Sequence, residues 1–198
     1  MPHTWIDTVT NRPVHVSLAA GTLTLSLDER ITLSGDGEGR MVGAWFAGLT
    51  YRRGLDNRIL LKWSERAQGG VRQRRFLAED ERRAVLKRVY QHADEVAAGL
   101  ANGRLALGDT NESFRDGVEA WLANVQRWTW PRLEAEAARF AQVYKPVSIM
   151  PPDQYLALVL QATEGCSYNE CSFCTFYRDR PFRIQSPESF SLHLDQVD

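Results

Sequence analysis

Three cysteines, Cys166, Cys171 and Cys174, are the residues of this chain best suited to chemistry, and they are all the cysteines it has. They fall within one stretch, Thr163-Glu164-Gly165-Cys166-Ser167-Tyr168-Asn169-Glu170-Cys171-Ser172-Phe173-Cys174, spaced Cys-x4-Cys-x2-Cys. None is left to pair elsewhere, so the stretch reads as three corners of a shared inorganic centre rather than a covalent staple. Thiolates are soft ligands that suit iron–sulfur clusters and zinc, and such short spacing lets one loop wrap a small cluster from one side.

The ligand count separates the alternatives. A ferredoxin-type [4Fe-4S] centre takes four cysteines, so three would leave one iron without a cysteine ligand and open to chemistry. Zinc is the competitor: Cys171-x2-Cys174 is a common zinc half-site, which Cys166 and His193 would complete as a tetrahedron in a structural or interaction module. A third reading, an electron-transfer iron–sulfur protein, needs a fourth ligand from outside the cysteines.

The elements that must position this loop show in the hydrophobic periodicity. At 198 residues with 43% hydrophobic residues, the chain can build one generous core or two small ones, and disorder is excluded. The first third alternates apolar and polar side chains at Pro13–Ser17, Thr22–Leu27 and Arg30–Ser34, with Asp28-Glu29 as a tight connection. Met41–Trp45, Leu49–Arg52 and Arg58–Trp63 continue it, which predicts an antiparallel meander with one wet face. From Ala78 the period becomes helical through Val85, Leu86, Val89, Ala93, Val96 and Leu100, with Asn102-Gly103 as the stop. A second helix begins near Ser113, and Pro131 breaks or restarts it ahead of a third stripe over Leu133, Ala137, Phe140 and Tyr144.

Several features of this front portion invite functional readings that weaken on inspection. Arg72, Arg74, Arg75, Arg82, Arg83, Lys87 and Arg88 concentrate positive charge, but Glu79, Asp80 and Glu81 interrupt them, so a solvated helix start is favoured over an RNA patch. Trp121, Trp128 and Trp130 sit at helical spacing and read as core. Gly35 to Gly39 lack the strand, helix and lysine of a nucleotide loop and read as a turn. His15 and His92 stand alone. The formal charge of −1 supplies no global field toward nucleic acid or anionic lipid. No basic leader and no apolar run of membrane-spanning length is present, so the expectation is a cytoplasmic protein with reduced thiols and no membrane partner.

In the tail, Tyr155–Gln161 is a near-continuous apolar run, which suits a strand buried on both faces of a parallel sheet. The cysteine loop follows it, and Ser186-Pro187-Glu188 then opens a helix through Phe190, Leu192 and Leu194. Strand, loop and helix together predict one βα unit with its chemistry at the strand's carboxyl end. The expected fold is therefore an α+β N-terminal domain over residues 1–145, antiparallel strands then helices, a linker at 146–154, and over 155–198 the first βα unit of a partial TIM-type α/β barrel.

The stretch Glu164–Cys174, with Thr175-Phe176-Tyr177-Arg178-Asp179-Arg180-Pro181-Phe182-Arg183 behind it, resembles the cluster loop of radical S-adenosylmethionine (SAM) enzymes. It is most similar to a subgroup whose loop runs Gly-Cys-Ser-x-Asn-x-Cys-x-Phe-Cys. The resemblance implies that Cys166, Cys171 and Cys174 each ligate one iron of a [4Fe-4S] cluster. It also implies that S-adenosylmethionine chelates the fourth iron and that Phe173 packs near its adenine. Reductive cleavage to a 5′-deoxyadenosyl radical is the implied activity, with a flavodoxin- or ferredoxin-like electron donor and an unknown substrate. Tyr177, Arg178, Arg180 and Arg183 read as solvated or paired with Asp179. The family's core needs several further βα units. The expectation is thus a fragment, a truncated reading frame or a chain completed by a partner that supplies the rest of the barrel, with an inactive short form as one outcome.

Overall fold

A computed structural model describes residues 3–19, 21–65, 70–108, 110–147 and 159–197. The chain divides into two compact units, Met1–Glu136 and Ala137–Asp198. The first unit opens with eight strands: β1 (His3–Asp7), β2 (Arg12–Ala19), β3 (Thr22–Leu27), β4 (Ile31–Asp36), β5 (Met41–Phe46), β6 (Leu49–Arg53), β7 (Ile59–Glu65) and β8 (Val71–Phe76). Helix α1 (Glu79–Ala101), the short strand β9 (Leu105–Ala106), α2 (Glu112–Val125) and the start of α3 (Trp130–Val143) follow. Each strand pairs antiparallel with its predecessor, and β9 adds beside β1, giving a nine-stranded sheet in the order β8-β7-β6-β5-β4-β3-β2-β1-β9.

Alternation of side chains gives this sheet its two faces. Trp5, Val16, Leu23, Leu25, Leu33, Tyr51, Ile59 and Leu61 turn inward, and each is buried. The stripes of α1 and α2 complete the core through Leu86, Val89, Val96, Val118 and Leu122. Burying each such aliphatic side chain contributes roughly 1.5–3 kcal/mol. Arg53 is also inward, its Nε donating to Asn57 Oδ1 at 2.9 Å and its Nη1 to the Met41 carbonyl at 3.3 Å. Burial lowers the pKa of its guanidinium.

Helix α1 starts with Glu79, Asp80 and Glu81 in its first turn, where negative charge complements the helix dipole, and Glu81 accepts the Ala78 N–H at 2.9 Å. Of the tryptophans read as core, Trp121 and Trp128 are buried there and Trp130 packs against it half-buried; the first two have a further duty. Trp121 Nε1 donates to the Asp36 carbonyl at 2.6 Å and Trp128 Nε1 to the Glu38 carbonyl at 2.7 Å. They fasten the glycine turn after β4 to the helices. Gly39 adopts φ +85° there, and a Cβ on it would stand 2.7 Å from the Val125 nitrogen, so the site takes glycine alone.

Of the eight strands β1 to β8, two were not legible in the periodicity. β1 precedes the first alternating run, and β8 is Val71-Arg72-Gln73-Arg74-Arg75-Phe76, so charged that its composition points away from a strand.

The expected first βα unit of a TIM-type barrel is overturned. Every strand pair among the described residues is antiparallel, and the architecture is the nine-stranded sheet with four helices. Of the expected strand Tyr155–Gln161, residues 155–158 lie outside the described residues, as do 148–154 of the expected linker. Val159–Gln161 form no strand. The tail holds two-residue strands β10 (Thr163–Glu164) and β11 (Arg183–Ile184) and helix α4 (Pro187–Val197). The physical reason is a pairing distant in sequence: β10 finds its backbone partners in β11, which returns antiparallel from the far side of the cysteine loop.

Candidate metal centre

The second unit fastens the cysteine loop at its base. Gln161 brackets the backbone of Lys145, its Oε1 accepting the N–H at 2.9 Å and its Nε2 donating to the carbonyl at 2.7 Å. Its own N–H donates to His193 Nε2 on α4 at 3.1 Å, and its carbonyl accepts from Gln185 Nε2 at 2.7 Å. The Gln185 N–H reaches the Ala162 carbonyl at 3.0 Å, and β10 and β11 then pair Thr163 with Ile184 and Glu164 with Arg183. The chain entering the loop is thereby tied to the chain leaving it. Ser186 Oγ accepts the Ser189 N–H at 3.2 Å and caps α4, whose His193 stands edge-on to Tyr144 at 5.3 Å between ring centroids.

Inside the loop, the residues around the first cysteine are set by backbone geometry. Gly165 lies at φ +75°, and a Cβ there would come within 2.7 Å of the Pro181 carbonyl oxygen. Asn169, at φ +46°, is one of the few side-chain-bearing residues that tolerate the left-handed region. Its Nδ2 donates to the Tyr177 carbonyl at 3.0 Å and reaches the Arg180 carbonyl at 3.4 Å. Backbone N–H groups of Asn169 and Tyr168 meet the Cys166 sulfur and hold its thiol pKa below the ordinary value, against the opposing effect of desolvation. Such a nest of N–H groups favours the thiolate, the form that binds metal. Further along, Arg178 Nη2 donates to the Cys171 carbonyl at 2.7 Å, and Arg180 pairs with Asp179 at 3.0 Å.

All three cysteines are free and half-buried. Phe173 stands 90% exposed. Among the described residues no three His, Cys, Asp or Glu side chains are gathered about one point as a single metal ion would require. As a donor set the loop suits a soft centre: three thiols, one of them already biased to the thiolate, on a segment anchored at both ends. A cluster distributes its thiolates over different irons rather than converging them on one ion. His193, which the zinc reading would enlist, has its Nε2 engaged by the Gln161 N–H and is 5% exposed.

Gln161, Gln185 and His193 as anchors were missed in the sequence, where Gln161 read as the end of an apolar run. Gly165 and Asn169 lay inside the quoted motif, but only the backbone shows what each does. His15 bonds Thr4 at 3.0 Å and His92 bonds Glu95 at 3.1 Å, both distant in sequence from the loop. Comparison with protein-family models, with curated proteins and with solved structures finds no match.

Proposed function

We propose that this is an iron–sulfur protein of the radical SAM class, in which Cys166, Cys171 and Cys174 hold a [4Fe-4S] cluster and S-adenosylmethionine occupies the fourth iron. The observation that carries the reading is the placement of every cysteine in the chain, free and half-buried, in one anchored loop. When bound, the cluster would supply the electron for reductive cleavage of the sulfonium. The chain's own residues have narrower tasks. The N–H groups of Asn169 and Tyr168 lower the Cys166 thiol pKa and so favour the form that binds metal. Gly165 and Asn169 fix the curve of the loop, and Arg178 holds the Cys171 carbonyl. Phe173 offers an uncovered apolar ring for the adenine.

The test is anaerobic reconstitution with iron and sulfide, followed by electron paramagnetic resonance of the dithionite-reduced protein before and after S-adenosylmethionine, with iron, sulfide and zinc quantified. A reduced [4Fe-4S] signal that shifts on addition of S-adenosylmethionine is expected, and each of Cys166→Ala, Cys171→Ala and Cys174→Ala should abolish it. Stoichiometric zinc with no cluster, or a cluster surviving all three single replacements, overturns the proposal.

A further inference from the structure

The outward face of the sheet at its β5–β8 end carries a pattern that the core does not explain. Side chains directly opposite one another on neighbouring strands share a face. The register therefore aligns Trp45, Thr50, Lys62 and Arg74 in one row and Gly43, Arg52, Leu60 and Phe76 in the next, with Arg72 opposite Ser64 beyond them. Arg52, Lys62, Arg72 and Arg74 are exposed, and among the described residues no ion pair or side-chain hydrogen bond engages any of them. The Arg52 side chain lies across Gly43, where an added Cβ would meet Nη1 at 3.2 Å. Two aromatic rings flank the cations: Trp45 is 40% exposed and Phe76 is 51% exposed. Arg58 stacks on the latter at 3.6 Å, its own N–H accepted by Asp56. The rows cross three strand spacings, about 14 Å.

The arrangement carries a cost. Lys62 and Arg74 are directly opposed like charges, a destabilising cross-strand pair, with Arg52 and Arg72 close by. The single carboxylate in strands β5 to β8 is Glu65, which bonds Trp63 Nε1 on the inward side. Protection of a sheet edge would account for Arg72 and Arg74 on β8. It does not account for Arg52 and Lys62 on interior strands, or for an uncovered tryptophan on β5.

We propose that this face binds single-stranded RNA, with Arg52, Lys62, Arg72 and Arg74 on the phosphates and Trp45 and Phe76 as stacking platforms for bases. Unpaired cations select a polyanion, and exposed rings on an open antiparallel sheet select unstacked bases over a duplex or an acidic polypeptide. Thr32, Ser34, Thr50 and Ser64, on the same face, provide hydroxyls that can exchange hydrogen bonds with ribose 2′-OH groups. The linear sequence hides this set. Of the basic run seen there, Arg75 pairs with Glu81, Arg83 with Glu79 and Arg82 with Glu134, while Arg72 and Arg74 turn to the opposite face and meet Arg52 and Lys62.

Fluorescence anisotropy of the full chain with a short labelled single-stranded RNA of mixed sequence tests this. Binding should weaken with salt with a log–log slope of about −3, as about four phosphate contacts would give. Lys62→Gln/Arg74→Gln, and separately Arg52→Gln/Arg72→Gln, should each roughly halve that slope. The first pair should also melt no lower than the parent, since it removes a repulsion. Trp45→Ala should weaken binding roughly tenfold with the slope unchanged. The proposal is overturned if the folded protein fails to bind RNA at low salt, or if both double variants bind as the parent does. It is equally overturned if duplex RNA, single-stranded DNA or poly-glutamate binds as tightly as the single strand.

Discussion

Gln161 and Lys145 hold each other by a reciprocal pair of hydrogen bonds, the amide oxygen on the Lys145 N–H and the amide nitrogen on its carbonyl, at 2.9 and 2.7 Å. One side chain thus does for the entry to the cysteine loop what a strand partner would do. Gln161→Ala should cost about 1–3 kcal/mol in the second unit, since two backbone groups lose their partner at once. All six tryptophans precede Ala137, so tryptophan fluorescence, excited selectively over tyrosine, reports the first unit and should be unchanged. Hydrogen exchange at Thr163 and Glu164 should accelerate.

His193 is the buried acceptor for the Gln161 N–H. His193→Leu fills much of the same space but removes the acceptor, leaving a buried donor unsatisfied at a cost of about 1–3 kcal/mol. His193→Gln restores an acceptor and should recover part of it. If His193 were instead a metal ligand, the leucine variant would lose zinc and the glutamine variant would not regain it. Zinc content and exchange of the Gln161 amide, measured together on both variants, separate the two roles.

Cys166 should behave as an activated thiol before any metal is present. In the metal-free Cys171→Ala/Cys174→Ala chain, where it is the single cysteine left, its alkylation rate should reach half-maximum at lower pH than in an unstructured peptide. The lowered pKa keeps the thiolate populated as pH falls, and the cause is the N–H pair of Asn169 and Tyr168. Gly165→Ala, which drives a Cβ toward the Pro181 carbonyl and strains a backbone at φ +75°, should move that midpoint back toward the peptide's. A midpoint equal to the peptide's in the parent loop would dismiss the nest.

What was legible in the sequence follows from which interactions are local. The meander from β2 to β7 and the helix α1 show because their periodicity is written in consecutive residues, and the cysteine loop shows because its ligands are close in sequence. The tail was misread for the opposite reason. The apolar run ending at Gln161 satisfies a parallel-strand pattern, but β10 pairs with β11 beyond the whole cysteine loop, a contact no local pattern records. Strand β8 stayed hidden because its arginines split between two faces, which only the pairing of Lys62 with Arg74 and of Leu61 with Arg75 shows. The loop's anchors, Gln161 and Gln185, are ordinary glutamines until the chain brings them together.

Acid should unfasten one end of α1. Glu81 accepts the Ala78 N–H at 2.9 Å and pairs with Arg75 at 2.5 Å, joining β8 to the first turn of the helix. The Arg75 hydrogen bonds, followed by that of Ala78, hold its carboxyl at about 2 against an ordinary 4.5. The unfolded chain therefore takes up the proton first as pH falls. The stabilisation is fully present above about 4.5 and is lost progressively as pH drops toward about 2. Glu81→Gln keeps the shape but has no charge to lose, so the parent should melt above the variant near neutrality and the gap should close in acid. The pair is solvent-exposed, so high salt should narrow the same gap at neutral pH. A gap that persists undiminished near pH 2 would show that Glu81 acts through packing rather than charge.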